Sequence, residues 1–257
     1  MDDTVIEFKN VTKIYKLYKS DKQRLKAIIW KKTPYKEKRA VNNVSFKIQR
    51  GDSVALFGRN GAGKSTLMNI ISDVIDSSEG SVEYMGKNIK NMKAEYRKHI
   101  GYLPQNTGLY PEFTLTEMLE YFAYLRGLDK SKIPEMMEKV LTGTNLLSKK
   151  DDKIKTFSGG MKRRAAIAVT FIADPEILIF DEPTVGLDPK ERIRFRELIL
   201  NNKKDKVIII SSHIVSDLDM IADKILLIKE GVIAGEIDND GSHNLEDEYM
   251  TLFEKDE

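Results

Sequence analysis

The chain contains no cysteine, which removes disulfides, thiolate metal sites and cysteine nucleophiles together and fits a reducing compartment. It has no apolar run near the roughly 18 residues that a membrane-spanning helix needs. Its opening, Met1-Asp2-Asp3, is acidic where a secretory leader would be basic. A cytoplasmic chain that does not cross a bilayer by itself is the expectation. Excess charge of one sign is missing too: 42 Lys and Arg stand against 40 Asp and Glu, a formal net of +2. That balance makes no overall demand for nucleic acid, and none is expected as a partner. Internal repeats and low-complexity linkers are absent as well.

What is present is an ordinary globular composition, 41% hydrophobic and 32% charged over 257 residues, enough for a large α/β domain with a helical insertion. The charge is uneven along the chain. Ten Lys/Arg lie between Lys16 and Arg39 against only Asp21 and Glu37, and the stretch from Glu236 to Glu257 is acidic. Val5 to Phe8 and Val44 to Ile48 read as half-buried strands bracketing the basic stretch. Continuous apolar runs at Val54–Phe57, Ile177–Phe180 and Val207–Ile210 read as parallel strands buried on both faces. Ile225–Ile228, Glu230-Gly231 and Val232–Ile237 read as a hairpin closing the sheet edge. From Asn106 to Ala173 the strand signal vanishes, and Leu115, Met118, Leu119, Phe122 and Leu125 recur at helical spacing.

After the first buried run comes Gly58-Arg59-Asn60-Gly61-Ala62-Gly63-Lys64-Ser65-Thr66, which satisfies G-x-x-x-x-G-K-S/T between a strand and a helix. Glycines let the backbone wrap phosphates closely, so that successive N–H groups and the helix N-terminus face the anion. Lys64 adds a point charge for the β/γ-phosphates, and the Ser65 hydroxyl is a ligand for Mg²⁺. A bare glycine-rich turn is the bland alternative, and the strand and helix on either side argue against it.

The second buried run ends in Asp181-Glu182, two carboxylates at the C-terminal edge of a parallel sheet, where ligands of such folds sit. Asp181 is assigned to Mg²⁺ through its water shell, and Glu182 to accepting a proton from the attacking water. His213, at the end of the third run, can reach the γ-phosphate from the same edge.

Phe157-Ser158-Gly159-Gly160-Met161-Lys162-Arg163-Arg164 then resembles the signature of ABC ATPases. Gln105 after Leu103-Pro104 is similar to that family's Q-loop, Val185-Gly186-Leu187-Asp188 to its D-loop and His213 to its switch histidine, so that five ordered elements span nearly the whole chain. The signature also has its own physical reading. Ser158 is a good N-cap, Gly159 and Gly160 leave amides open, and a helix follows with Met161, Ala165, Ala168, Val169 and Ile172 as its buried stripe, which makes a second anion site. Met161 departs from the glutamine commoner in that family.

The resemblance implies that Ser158, Gly159 and Gly160, together with Asp188, act on ATP held by the other subunit, with two ATP sandwiched in a head-to-tail pair. It further implies that Gln105 contributes to the metal and γ-phosphate site, and that Tyr15 stacks on adenine. Tyr18 is a rival for that role, and a Tyr15 that merely ends an edge strand is the plain alternative. Gly101 and Gly108, flanking Gln105, read as a hinge that relays γ-phosphate occupancy.

The expected fold is therefore α/β: a P-loop NTPase core on a mostly parallel sheet, an N-terminal antiparallel β subdomain and an inserted α-helical subdomain, all one domain over 1–257. It carries a basic insertion at 16–40, helices over 106–173 and an acidic tail at 238–257. The expected activity is ATP hydrolysis powering a separate transmembrane permease from the cytoplasmic face, as a dimer with a second copy or a homologous ATPase subunit.

Within the basic insertion, Asp21 to Lys32 places Leu25, Ile28 and Ile29 on one face near Trp30 among lysines and arginines, which suits an anionic membrane surface or the partner. Its start is similar to ATPases that export polysaccharides and teichoic acids, whereas Gly160–Arg164 and Ser212–Asp217 are more similar to exporters of drugs, peptides or lipids. A soluble ABC switch on ribosome or DNA is the competing class; it goes with two fused cassettes or a long coiled-coil insertion, and neither is found here. Asn202-Lys203-Lys204-Asp205 imitates a guanine-reading motif but precedes its strand and reads as a solvated turn.

Overall fold

The structure, a computed structural model, describes residues 3–29, 34–212 and 214–239. Among these residues two sheets face each other. The first is antiparallel, built from β1 (Thr4–Leu17), β2 (Lys36–Gln49), β4 (Glu79–Tyr84) and β5 (Lys87–Asn88) in the order β2-β1-β4-β5. The second comprises β3 (Ser53–Phe57), β6 (Ile100–Leu103), β7 (Ile177–Asp181), β8 (Val207–Ser212), β9 (Lys224–Lys229) and β10 (Val232–Asp238). Its order is β10-β9-β3-β8-β7-β6, parallel except for the terminal hairpin.

Every residue of β3, β7 and β8 is buried, because successive side chains of a strand point to opposite faces and both faces here are covered. Val54, Leu56, Ile177, Ile179, Val207 and Ile209 enter a core shared with the antiparallel sheet and with α2 (Lys64–Ile71). Their alternates Ala55, Phe57, Leu178, Phe180, Ile208 and Ile210 enter a second core against α5 (Leu115–Leu125), α6 (Ile133–Gly143), α7 (Gly159–Phe171) and α8 (Pro189–Asn202). At about 1.5–3 kcal/mol per fully buried large aliphatic side chain, these strands are the chief anchor of the fold. They also hold their C-terminal ends in fixed relation. Short helices α3 (Ile89–Met92), α4 (Ala94–Lys98) and α9 (Val215–Asp219) join the elements.

The helical stretch expected over 106–173 contains α5, α6 and α7 with short 3₁₀ turns and a single isolated bridge, Thr114 to Lys153. Thr114 and Glu117 form a reciprocal capping box at the start of α5. Strands β4, β5 and β6 carry no sequence signal of their own. They have two to six residues, and only Val82 and Tyr84 of β4 are buried, so their identity comes from the strands beside them.

The basic insertion is shorter than 16–40. Tyr15, Lys16 and Leu17 pair with Lys38, Glu37 and Lys36, so both ends of that stretch are a continuation of the β1–β2 hairpin, with α1 (Asp21–Ile29) near its tip. Trp30, Lys31 and Lys32 of the expected membrane-facing helix lie outside the described residues, and so does the acidic tail beyond Asn239.

Candidate functional site

At the C-terminal end of β3 the chain turns through residues 58–63 into α2. Gly63 is the N-cap, at φ 115° and with no side-chain cap. A Cβ there would lie 2.4 Å from the carbonyl oxygen of Ala40, and one on Gly58 would lie 2.2 Å from that of Ile228. Only glycine fits at either place. The loop is clamped from outside as well: Gly231 N–H donates to the Ala62 carbonyl, and Asn42 N–H to the Gly231 carbonyl, each at 2.8 Å. Glu230 and Gly231 both take positive φ, as a two-residue hairpin turn requires. The β9–β10 hairpin thus serves as a brace for the phosphate loop as well as a sheet edge. Lys64 is buried, and its Nζ donates to the carbonyls of Gly58 at 2.6 Å and Arg59 at 3.2 Å. Burial holds its pKa below the usual lysine value, while the nearby Glu182 and Asp181 charges pull it back up.

The carboxylates arrive from β7. Asp181 Oδ1 accepts from Ser211 Oγ at 2.6 Å and from Ser65 Oγ at 3.3 Å, which brings the ends of β7, β8 and α2 to one point. Glu182 N–H is held by the Ser211 carbonyl at 3.2 Å and by its hydroxyl at 3.1 Å. Glu182 itself sits at φ 51°, a conformation that non-glycine residues adopt only when their surroundings impose it. Mg²⁺ fits the Ser65 and Asp181 pair: both donors are oxygens on the phosphate-loop side. Among the described residues no group of three or more His, Cys, Asp or Glu could hold a metal alone, and Mg²⁺ characteristically takes one or two protein oxygens and completes its shell with phosphate and water.

A cavity of about 490 Å³ runs along these groups. It is lined by Tyr15, Leu17, Lys38 and Ala40 from the hairpin, by Asn60, Gly61, Gly63, Lys64, Ser65 and Thr66 from the glycine-rich loop and the start of α2, and by Gln105 and Glu182. Its size is that of a small-molecule site. A lining that combines an aromatic ring, the backbone and lysine of a glycine-rich loop and the carboxylate of Glu182 suits a ligand with both a flat base and phosphates. Tyr15 lies near the end of β1, beyond Thr12 where the pairing with β4 stops, and pairs with Lys38 across the hairpin. Tyr18 lines a neighbouring hollow instead, edge-on to Tyr35 at 6.0 Å between ring centroids.

Ser158, Gly159, Gly160 and Asp188 are not among the residues lining this cavity. Ser158 caps α7, its hydroxyl accepting from Met161 N–H at 3.3 Å. A Cβ on Gly159 would meet nothing within 4 Å, and one on Gly160 only the Gly186 carbonyl at 3.5 Å. The second helix N-terminus is therefore open to the exterior beside residues 185–188. Asp188 is the N-cap of α8, accepting from Glu191 N–H at 2.9 Å, and within this chain it does structural work. Gly101 is no hinge: it lies in β6, where a Cβ would approach the Thr170 carbonyl to 2.4 Å, so it is a close-packing glycine. Gly108 has open space around it. His213 lies outside the described residues.

The residue that the linear reading passed over is Arg163. It is buried in α7, and its guanidinium donates to the carbonyls of Pro104, Gln105, Asp181, Glu182 and Pro183. A sequence signal did exist, since Arg163 shares a helix face with Ile167 and Thr170, both buried.

Residues 41–185 match the protein family described as ABC transporter. The chain is 36% identical over 201 residues to the linearmycin resistance ATP-binding protein LnrL of Bacillus subtilis, an alignment covering 78% of this chain and 65% of that protein. It is 36% identical over 197 residues to the ABC transporter ATP-binding protein NatA of the same organism, covering 76% and 80%. The phospholipid-transporting ATPase ABCA3 of Rattus norvegicus is 32% identical over 196 residues, covering 76% and 12%. The chain spans only 23% of the length of ABC transporter A family member 1 of Dictyostelium discoideum and 8% of that of ATP-binding cassette sub-family A member 2 of Rattus norvegicus. Among solved structures, an ATP-binding subunit of an ABC transporter superposes with TM-score 0.82 at 26% identity, covering 96% of this chain and 99% of that one. A dimeric ATP-binding cassette in a post-hydrolysis state with ADP and Pi superposes at 0.79 and 26%, covering 92% and 99%.

Proposed function

Because this chain belongs to the ABC transporter family, we propose that it is an ATPase subunit that closes head to tail with a second copy, or with a homologous subunit, around two ATP and drives a separate membrane-spanning permease. One observation carries the reading. The cavity that gathers Tyr15, Lys64, Ser65, Gln105 and Glu182 contains none of Ser158, Gly159 and Gly160, whose helix N-terminus opens outward from the same chain. Two copies facing each other would give each cavity the second anion site it lacks.

In this mechanism the triphosphate lies along the amides of 60–66 with Lys64 on the β/γ-phosphates, and adenine stacks on Tyr15. Ser65 and Asp181, with Gln105 on the γ-phosphate side, would hold Mg²⁺, which when bound would supply charge neutralisation on the phosphate oxygens. Glu182 accepts a proton from the attacking water as the new water-oxygen-to-phosphorus bond forms and the bond from the γ-phosphorus to the bridging oxygen breaks, leaving ADP and phosphate. Ser158 and Gly160 of the partner bind the γ-phosphoryl oxygens, so hydrolysis removes the group that ties the two copies together. His213 is assigned to the same γ-phosphate edge on the sequence pattern.

No helix among the described residues is long and apolar enough to cross a membrane, and the permease is therefore assigned to another chain or segment. We place the cassette at the cytoplasmic face. Export is the proposed direction, with a drug, peptide, lipid or cell-envelope polymer as cargo, a range that the resistance in the name of LnrL and the phospholipid in that of ABCA3 support. The α1 helix, with Leu25 64% exposed among Lys22, Arg24 and Lys26, is assigned to the membrane surface or the permease.

The test is Glu182→Gln. With ATP and Mg²⁺ it yields a stable dimer by light scattering, with turnover about 10²- to 10⁴-fold below the parent chain. Turnover at the parent rate takes the general-base role away from Glu182.

A further inference from the structure

The ladder between β6 and β7 ends at the pair Leu103 and Phe180. Beyond it the two strands run on into the segments that carry Gln105 and Glu182, and both segments contain a proline, Pro104 and Pro183, which has no N–H to extend the ladder. Nothing in the sheet itself therefore fixes Gln105 relative to Glu182. Arg163 occupies the place of the missing ladder. Its Nε donates to the Pro183 carbonyl at 3.0 Å. One terminal nitrogen donates to Pro104 at 3.0 Å and Gln105 at 3.2 Å, and the other to Asp181 at 3.0 Å and Glu182 at 2.6 Å.

A guanidinium has five N–H groups in one plane, and all five are used on five backbone oxygens from two segments. Three of those oxygens surround the left-handed turn at Glu182. Burying an arginine among carbonyls, without a hydrogen-bonded carboxylate, costs desolvation of its charge, which the nearby Asp181 and Glu182 charges offset only in part. The arrangement makes sense if geometry is what it secures.

We infer that Arg163 is a positioning residue for ATP hydrolysis, a planar strap that locks the Gln105 segment to the Asp181–Pro183 segment so that the γ-phosphate contact and the general base move as one unit. The inference rests on the functional reading above and adds to it a residue that touches neither nucleotide nor metal. Lysine cannot replace it, since an ammonium has three donors and no fork.

The experiment compares the full-length chain with Arg163→Lys and Arg163→Gln. In ATP turnover at saturating enzyme concentration, kcat falls about 100-fold in both variants, the scale expected for misplacing a catalytic group by about an ångström. The KM for ATP, and ATP binding at the phosphate loop, change less than about threefold, because the hydrogen bonds of Arg163 go to residues 104–105 and 181–183 and it does not line the cavity. Hydrogen exchange without nucleotide reads the strap directly. Amides of 105–107 and 184–186 exchange about tenfold faster in Arg163→Lys, while those of α2 are unchanged.

Parent-level kcat in both variants overturns the proposal. So does a fall in kcat matched by an equal loss of ATP binding, or faster exchange spread evenly over α2 and both segments, since either is what a merely structural role produces. If Arg163→Gln does not fold, Arg163→Lys decides the matter. If the parent chain neither binds nor hydrolyses ATP, the functional reading fails, and the exchange comparison still decides whether Arg163 straps the two segments.

Discussion

Two helix N-termini in this molecule, the starts of α2 and α7, are proposed to bind phosphate, and they are built in opposite ways. At α2 the start is Gly63 in a left-handed conformation, pressed against Ala40 and braced by Gly231, with Lys64 buried and two carboxylates at hand. At α7 the start is Ser158 in extended conformation, capping its own helix, with Gly159 bare and only the Gly186 carbonyl near Gly160. The first, the proposed phosphate site, lies in a cavity and is clamped by hydrogen bonds from Gly231 and Asn42. The second offers the same amide physics without a pocket, and it acquires one only if another surface closes over it. The contrast teaches why we propose a site divided between copies: each helix start is folded well, and neither is enclosed on all sides by its own chain.

The most damaging way to break this comparison is Lys64→Ala. Removing a charge-assisted contact to phosphate weakens ATP binding by about 10- to 100-fold or more, measured by calorimetry, and turnover goes with it. ATP binding at the parent affinity refutes the central role given to the first site. A double substitution at the other site, Ser158→Tyr with Gly160→Trp, lowers turnover by about 100-fold and leaves ATP affinity of the separated chain within about twofold. Full turnover by that variant ends the shared-site picture.

Mixing sharpens the contrast. A chain carrying Lys64→Ala still offers an intact α7 start, and the doubly substituted chain still offers an intact phosphate loop. Mixed dimers therefore have one complete site, and steady-state assays recover a measurable share of activity that neither variant shows alone.

Smaller effects test the walls. Tyr15→Ala weakens ATP binding by about 1–3 kcal/mol, the worth of one base stacked on an aromatic ring, whereas Tyr15→Phe stays near the parent value; equal losses for both would remove stacking as the reason. Gly231→Ala puts a Cβ 2.8 Å from the Ala40 carbonyl at φ 82°. It should lower unfolding stability by about 1–3 kcal/mol in urea titration and loosen the phosphate loop. An unchanged midpoint would mean that the hairpin brace is slack.

Much of this was readable along the chain, because the signals are local. The glycine spacing of 58–63 with Lys64 and Ser65, and the pair Asp181-Glu182 after an apolar run, declare both the strand and the chemistry at its end. The continuous runs of β3, β7 and β8 announce strands covered on two faces. What failed to show was short or non-local. The Ile100–Leu103 run became β6 only because β7 lies beside it, and Gly101 resembled a hinge until the Thr170 carbonyl was found against it. The basic stretch from Lys16 to Arg39 looked like one insertion, although strand pairing claims both of its ends.

By itself, then, the order of residues determined that the groups proposed for the chemistry would sit at the carboxyl ends of buried parallel strands, since that follows from motif spacing and hydrophobic period within a few residues. Only the tertiary structure decided how those groups are held: Arg163 across two proline-broken segments, Gly231 against the phosphate loop, and the outward aim of Ser158 and Gly160. Those contacts join residues far apart in the chain, and they exist only once the sheets have packed and fixed the direction in which each strand end points.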